Sequence, residues 1–238
     1  MITIEPGRHT SVGLTRRQVR WLWPAMALAG LAALLLAVKI SGELLEGESF
    51  RFDPAILEAL RQPGRPATPI GPSWLLQSAI DLSALGGFTL LWLFSVAGLG
   101  YLVWIGRRAE AAWIAASLFG ASLLNLGLKG WMHRPRPFVV PHLEQVSSAS
   151  FPSGHAMVSA AVYLTLGLML AEAEPRTGRR LFIVGFAALL VLSIGCSRVY
   201  LGVHWPSDVL AGWCFGGVWA LVVFAAERWL KAKARAAG

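Results

Sequence analysis

Apolar positions along the chain gather into six stretches, at about 21–40, 87–105, 111–128, 154–171, 181–197 and 207–226. A helix that crosses a bilayer needs roughly 20 apolar residues to traverse about 30 Å of hydrocarbon. The pattern therefore predicts an all-α fold, a bundle of six transmembrane helices. Arg16 and Arg17 precede the first stretch, as they would a secretory signal. Its apolar run exceeds the roughly 7–15 residues of a signal core, and no small-x-small cleavage site follows, so it reads as an uncleaved first helix.

The segment 41–86 is too long for a simple turn, and Pro63, Pro66, Pro69 and Pro72 discourage continuous helix there. Beyond them Ser73 to Leu82 is apolar, with Asp81 near its end, and is expected to pack at the membrane surface beside the spans. The chain shows no internal repeat, low-complexity tail or second domain, so residues 1–238 read as one integral membrane domain.

Composition strengthens this picture. Only 14% of residues are charged, against 55% hydrophobic and a mean hydropathy of +0.58; a soluble domain carries about 25% charged residues. Eleven Trp fit the same setting, because indole rings favour the boundary between headgroups and acyl chains. The net charge of +8 could suggest nucleic acid, but the Lys and Arg lie in short gaps between apolar runs instead of along one stripe. If the N-terminus is cytoplasmic, that side holds Arg8, Arg16, Arg17, Arg20, Arg107, Arg108, Arg176, Arg179, Arg180, Arg228, Lys231, Lys233 and Arg235. These are thirteen of the 21 basic residues, and the bias places both termini inside. Cys196 and Cys214 sit in or beside apolar helical stretches and read as packing residues, not a disulfide framework.

That topology brings three polar clusters to the side opposite the termini. The first runs from Lys129 through His133, Arg134 and Pro135 to Arg136 and Pro137; the second is Pro152-Ser153-Gly154-His155; the third is Ser197-Arg198, then His204 and Asp208. Singly, each has an ordinary explanation, since basic residues at helix ends snorkel and a lone histidine is usually an interfacial residue. Together they hold cations, a helix start able to receive an anion, and two histidines. A transferring phosphoryl group spreads negative charge over its oxygens, so its catalysis is mostly positioning and charge stabilisation. Lys129, Arg136 and Arg198 supply three cations for that purpose. Ser153 and Gly154 open the fourth span, where free N–H groups and the helix dipole favour phosphate. His204 and Asp208 are four apart, so if helical geometry begins at Pro206 the carboxylate can reach back to one imidazole nitrogen.

The three clusters resemble the signature of the type 2 phosphatidic acid phosphatase superfamily, which includes lipid phosphate phosphatases and vanadium haloperoxidase-like proteins. Its pattern is Lys, six residues, Arg-Pro; then Pro-Ser-Gly-His; then Ser-Arg, five residues, His, three residues, Asp, and every fixed position is matched between residues 129 and 208. The six-span layout is similar to the family's bacterial membrane branch, not to the soluble haloperoxidases. The resemblance implies a lipid phosphatase of a bacterial inner membrane, with its site on the extracytoplasmic face. It also implies the roles: His204 as the nucleophile that forms a phosphohistidine, Asp208 as its orienting carboxylate, and His155 as the group that protonates the leaving oxygen and later accepts a proton from water. The implied partners are the bilayer and a lipid phosphate: phosphatidic acid, phosphatidylglycerol phosphate or undecaprenyl pyrophosphate.

No cofactor or metal is required by this scheme, because the cations stand where a metal ion would neutralise charge. A zinc site from His133, His142, His155 and His204 lacks recognisable ligand spacing. Two other readings use the same residues: a phosphotransferase that passes the phosphoryl group to an acceptor other than water, and a non-enzymatic carrier of a phosphorylated lipid.

Overall fold

The structure, a computed structural model, describes residues 16–237, with side chains from Trp23 onward. Arg8 of the N-terminal flank lies outside the described residues, as do the side chains of Arg16, Arg17 and Arg20. The elements in order are α1 (Arg16–Leu45), α2 (Phe52–Ala59), β1 (Arg61–Gln62), β2 (Arg65–Pro69), α3 (Ser73–Gly86), α4 (Phe88–Trp104), α5 (Arg108–Met132), α6 (Gly154–Ala173), α7 (Thr177–Tyr200) and α8 (Pro206–Ala237). Each of the six apolar stretches falls in its own helix: α1, α4, α5, α6, α7 and α8.

Five of these helices, α1, α5, α6, α7 and α8, are long and apolar enough to cross a membrane alone. The sixth span needs α3 as well, because α4 has only 17 residues. The two are bent by 48° at a short break and together reach membrane-spanning length. The expectation that Ser73 to Leu82 packs beside the spans thereby gains a second form: the segment is helical and, with α4 beyond the bend, makes up the length of one broken span. The break falls at Gly86 and Gly87. A Cβ on Gly86 would lie 2.4 Å from Ile194 Cγ2 of α7, so glycine is what lets α3 end against that helix.

At the centre stands α6, the most buried helix, flanked by α5, α7 and α8. Lipid offers no hydrophobic drive between helices, so close backbone contact between small residues carries the association. Gly212 and Gly216 of α8 provide it: an added Cβ at Gly216 would sit 2.2 Å from the Met157 carbonyl oxygen, and one at Gly212 2.9 Å from that of Ser153. Large apolar side chains such as Phe182, Phe186 and Leu189 of α7 point outward, where the bilayer replaces a protein core.

The proline-rich segment folds over one end of the bundle. It forms α2 and a two-stranded antiparallel hairpin in which Arg61 faces Pro69 and Gln62 faces Arg65. Arg61 donates from Nη1 to the Tyr200 carbonyl at 3.0 Å, and the Tyr200 hydroxyl donates to the Ile70 carbonyl at 2.7 Å. Asp53 of α2 accepts from the Ser207 N–H at 2.9 Å. These bonds fasten the segment to the turn between α7 and α8, where His204 resides.

Candidate active site

Four local features deliver the polar clusters to one place. The first cluster leaves α5 at His133, whose left-handed φ of 45° turns the chain out of the helix and across the bundle end. Ser153 caps α6, accepting from the Ala156 N–H at 3.5 Å. Gly202, with φ +74°, tightens the turn after α7. Pro206 opens α8, a position that suits its fixed φ and missing N–H.

A cavity of about 490 Å³ results. Lys129, Arg136, Gly154, His155, Arg198 and His204 line its polar end; Phe88, Leu91, Trp92, Leu126 and Val158 line an apolar extension between α4, α5 and α6.

His204 is buried at the cavity wall, with Nε2 3.3 Å from Arg136 Nη1. A guanidinium can only donate, so Nε2 carries the lone pair and the proton resides on Nδ1. Nδ1 stands 3.5 Å from both Asp208 Oδ2 and Ser150 Oγ. Burial pushes the imidazole down to about 4, with Asp208 pulling the other way and the Arg136 and Arg198 charges adding to the depression. His204 is thus a neutral base at physiological pH.

The cations crowd one another. Arg136 donates from Nε to the Ser148 carbonyl at 2.8 Å and from Nη1 to the Val203 carbonyl at 2.6 Å. Lys129 Nζ donates to Ser148 Oγ at 3.1 Å and the Ala149 carbonyl at 2.5 Å. Burial, then the neighbouring Arg198 charge, holds the Arg136 guanidinium below its ordinary range, at about 10. Arg198, 1% exposed, donates to Ser83 Oγ at 2.5 Å and to the Glu144 carboxylate. Its Nε has no acceptor among the described residues. Three cations around one wall, with Glu144 the only carboxylate among the cavity's lining residues, suit a multiply charged oxyanion.

Comparison with known proteins settles the family. Residues 110–232 match the PAP2 superfamily. The chain belongs to that superfamily. It is 35% identical over 153 residues to phosphatidylglycerophosphatase B of Bacillus subtilis (strain 168), covering 63% of this chain and 74% of that protein. It is 33% identical over 177 residues to the lipid A 1-phosphatase of Rhizobium etli, covering 69% and 70%. Among solved structures, the transmembrane PAP2 type phosphatidylglycerolphosphate phosphatase from Bacillus subtilis superposes with a TM-score of 0.68 at 28% identity, over 87% of this chain and 96% of that one. With its apolar helices, this PAP2 member is an integral membrane protein.

Of the residues expected from the signature, Lys129, Arg136, Gly154, His155, Arg198 and His204 meet at the cavity. Asp208 stands behind His204, fully buried. Ser153 is placed differently: its hydroxyl serves the helix cap and its N–H donates to the Asp208 carbonyl at 3.1 Å. The cap takes the Ala156 N–H and the Ser153 carbonyl takes that of Met157, which leaves the N–H groups of Gly154 and His155 at the start of α6. His133 and His142 stay off the cavity lining, and His142 Nε2 lies 2.7 Å from the Pro137 carbonyl. Asp81 accepts from Gln77 at 2.9 Å on an exposed face of α3. Among the described residues no group of three His, Cys, Asp or Glu could hold a metal ion. Five contributors escaped the sequence reading: Ser83, Glu144, Ser148, Ser150 and Asp53. Ser148 and Ser150 lie in the polar run just ahead of the Pro-Ser-Gly-His cluster, which was the available signal; nothing local marks Ser83 or Asp53.

Proposed function

We propose that the chain is a lipid phosphatase that works through a phosphohistidine on His204. The observation that carries this reading is the buried His204, with Nε2 3.3 Å from Arg136 Nη1, at the wall of a cavity whose polar end runs on into apolar lining. A phosphate headgroup fits the cationic end, and acyl or prenyl chains fit beside Phe88, Leu91 and Trp92. The substrates after which the relatives are named, phosphatidylglycerophosphate and lipid A 1-phosphate, likewise join a phosphate to acyl chains.

Lys129, Arg136, Arg198 and the N–H groups following Ser153 hold the phosphoryl oxygens and take up their charge in the transition state. His204 Nε2 forms the bond to phosphorus while the bond to the leaving oxygen breaks. His155, across the same cavity, gives that oxygen a proton. Asp208 offsets the positive charge that remains on the imidazole and its Nδ1–H. Water then attacks the phosphohistidine, His155 takes its proton, and inorganic phosphate leaves with His204 restored. Both steps use side-chain cations for charge neutralisation, so chelators leave the rate unchanged. The excess of basic residues on the side of the termini supports a site on the extracytoplasmic face of a bacterial inner membrane. The substrate is phosphatidic acid, phosphatidylglycerol phosphate or undecaprenyl pyrophosphate.

The test is phosphate release by purified protein in detergent across those three substrates, with and without EDTA. His204→Ala and His155→Ala should each lower release by roughly a hundredfold or more, the scale of a lost acid–base or nucleophilic group. Undiminished release by both variants overturns the reading.

A further inference from the structure

Behind His204, on the side away from the cavity, lies a second charged cluster, of which the signature contains only Asp208. Asp53, 2% exposed, reaches from α2 to the start of α8. Its Oδ2 accepts from Arg134 Nη2 at 2.8 Å and from Ser207 Oγ at 2.5 Å, and its Oδ1 accepts from the Ser207 N–H at 2.9 Å. The same Arg134 donates from Nη1 to Asp208 Oδ1 at 2.5 Å. One guanidinium is thus shared by two buried carboxylates. The other oxygen of Asp208 accepts from the Trp205 N–H at 3.0 Å and from Ser150 Oγ.

The charge arithmetic gives this sharing a purpose. Arg134 paired with Asp208 alone would be neutral, and a neutralised carboxylate does little to support an imidazole that becomes cationic. With Asp53 included, the cluster carries a formal net charge of minus one. We propose that Asp53 is a positioning residue for the reaction, which by holding Arg134 away from full pairing with Asp208 keeps negative charge and fixed geometry behind the His204 imidazole. Asp53 lies well outside the matched residues 110–232, in the segment that folds over the bundle end. That segment is thereby part of the catalytic apparatus, not merely a cover. The inference rests on His204 being the nucleophile.

The charged and titratable groups around His204 are Asp208 beside Nδ1, Arg136 beside Nε2, Arg198 and His155 at the same cavity, and the Arg134–Asp53 pair beyond Asp208. His204 must be neutral to attack, so its protonation appears as the acid limb of kcat/KM. Asp53→Asn takes the cluster's charge to zero and moves that limb to lower pH. Arg134→Gln takes it to minus two and moves the limb to higher pH. The double variant returns the charge to minus one, and its limb returns toward the wild-type position.

The experiment measures phosphatidic acid hydrolysis in detergent micelles by the full chain and these three variants, across pH. Expected displacements are about half a pH unit in each direction for the single variants, the scale of one charge moved a few ångströms behind a buried imidazole. Asp53→Asn also loses kcat by roughly tenfold while KM stays within about twofold, because the phosphate-holding cations are untouched. A purely structural role for Asp53 would lower activity without opposite displacements. Limbs that stay put, or move the same way in both single variants, overturn the proposal, and if only one single variant elutes as a folded species its sign decides. Loss of the folded profile in all three variants also overturns it, leaving Asp53 a fold residue. Wild-type hydrolysis by His204→Ala, included as a control, would instead remove the mechanism on which the inference stands.

Discussion

Replacing Arg136 by Gln tests how the cationic wall tunes the proposed nucleophile, His204. The guanidinium lies 3.3 Å from His204 Nε2 and contributes to holding that imidazole at about 4, well below its ordinary 6.5. Two unit charges about 4 Å apart interact by about 4 kcal/mol at an effective dielectric near 20, which corresponds to an upper limit of about 3 pH units. Arg136 is half-exposed, so water screens it, and a rise of about 1–2 units is the expected result. The sign follows from charge: removing a cation favours the protonated imidazole, so the acid limb of kcat/KM climbs from near pH 4 toward 5–6. Above that limb the variant is still slow, by roughly a hundredfold, because a donor to the transition-state oxyanion has gone. Phosphate release from phosphatidic acid, measured between pH 3.5 and 8 in detergent, reads both effects. A variant that is slower but keeps the wild-type acid limb would refute the account of His204, since the limb would then report a different group.

The same depression of His204 predicts that stability falls as pH drops from 6.5 toward 4, by up to about 1.4 kcal/mol per unit, because the unfolded chain binds a proton that the folded chain refuses; detergent melting curves check it, and His204→Phe should flatten that slope. Gly216→Ala forces α8 away from the Met157 carbonyl and should destabilise by about 1–3 kcal/mol, read as a lower melting temperature, whereas Gly98→Ala, with open space around its added methyl, should not. Glu144→Gln removes the carboxylate that now engages Arg198 and should tighten inhibition by orthovanadate several-fold, since vanadate and Glu144 compete for one guanidinium; unchanged inhibition would show that Glu144 yields to the anion without penalty.

What could be read from the chain and what could not divides along sequence distance. Lys129, Arg136, His155, Arg198 and His204 were legible because each sits at the end of an apolar run, where a polar residue is conspicuous and its side of the membrane follows from counting spans. The bend at Gly86 and Gly87 was not legible, because the pairing that requires it is with Ile194 on α7, over a hundred residues away. The apolar residues of α3 satisfy a surface helix and half of a broken span equally well. Arg134 was visible within the first cluster, yet its partners Asp53 and Asp208 lie 81 and 74 positions from it, and no local spacing links them. Ser83 and Arg198 are 115 apart. Residues that line the polar end of the cavity announce themselves through charge near helix ends; residues that hold those charges in place are set by packing. Asp53 is the sharpest case, an acid in a proline-rich segment that composition marks as ordinary loop. Buried against the start of α8, it shares the Arg134 guanidinium with Asp208, the carboxylate behind His204. A buried carboxylate without a partner is costly, so the segment and His204 are coupled through the same cation, and a change in either is felt by the other.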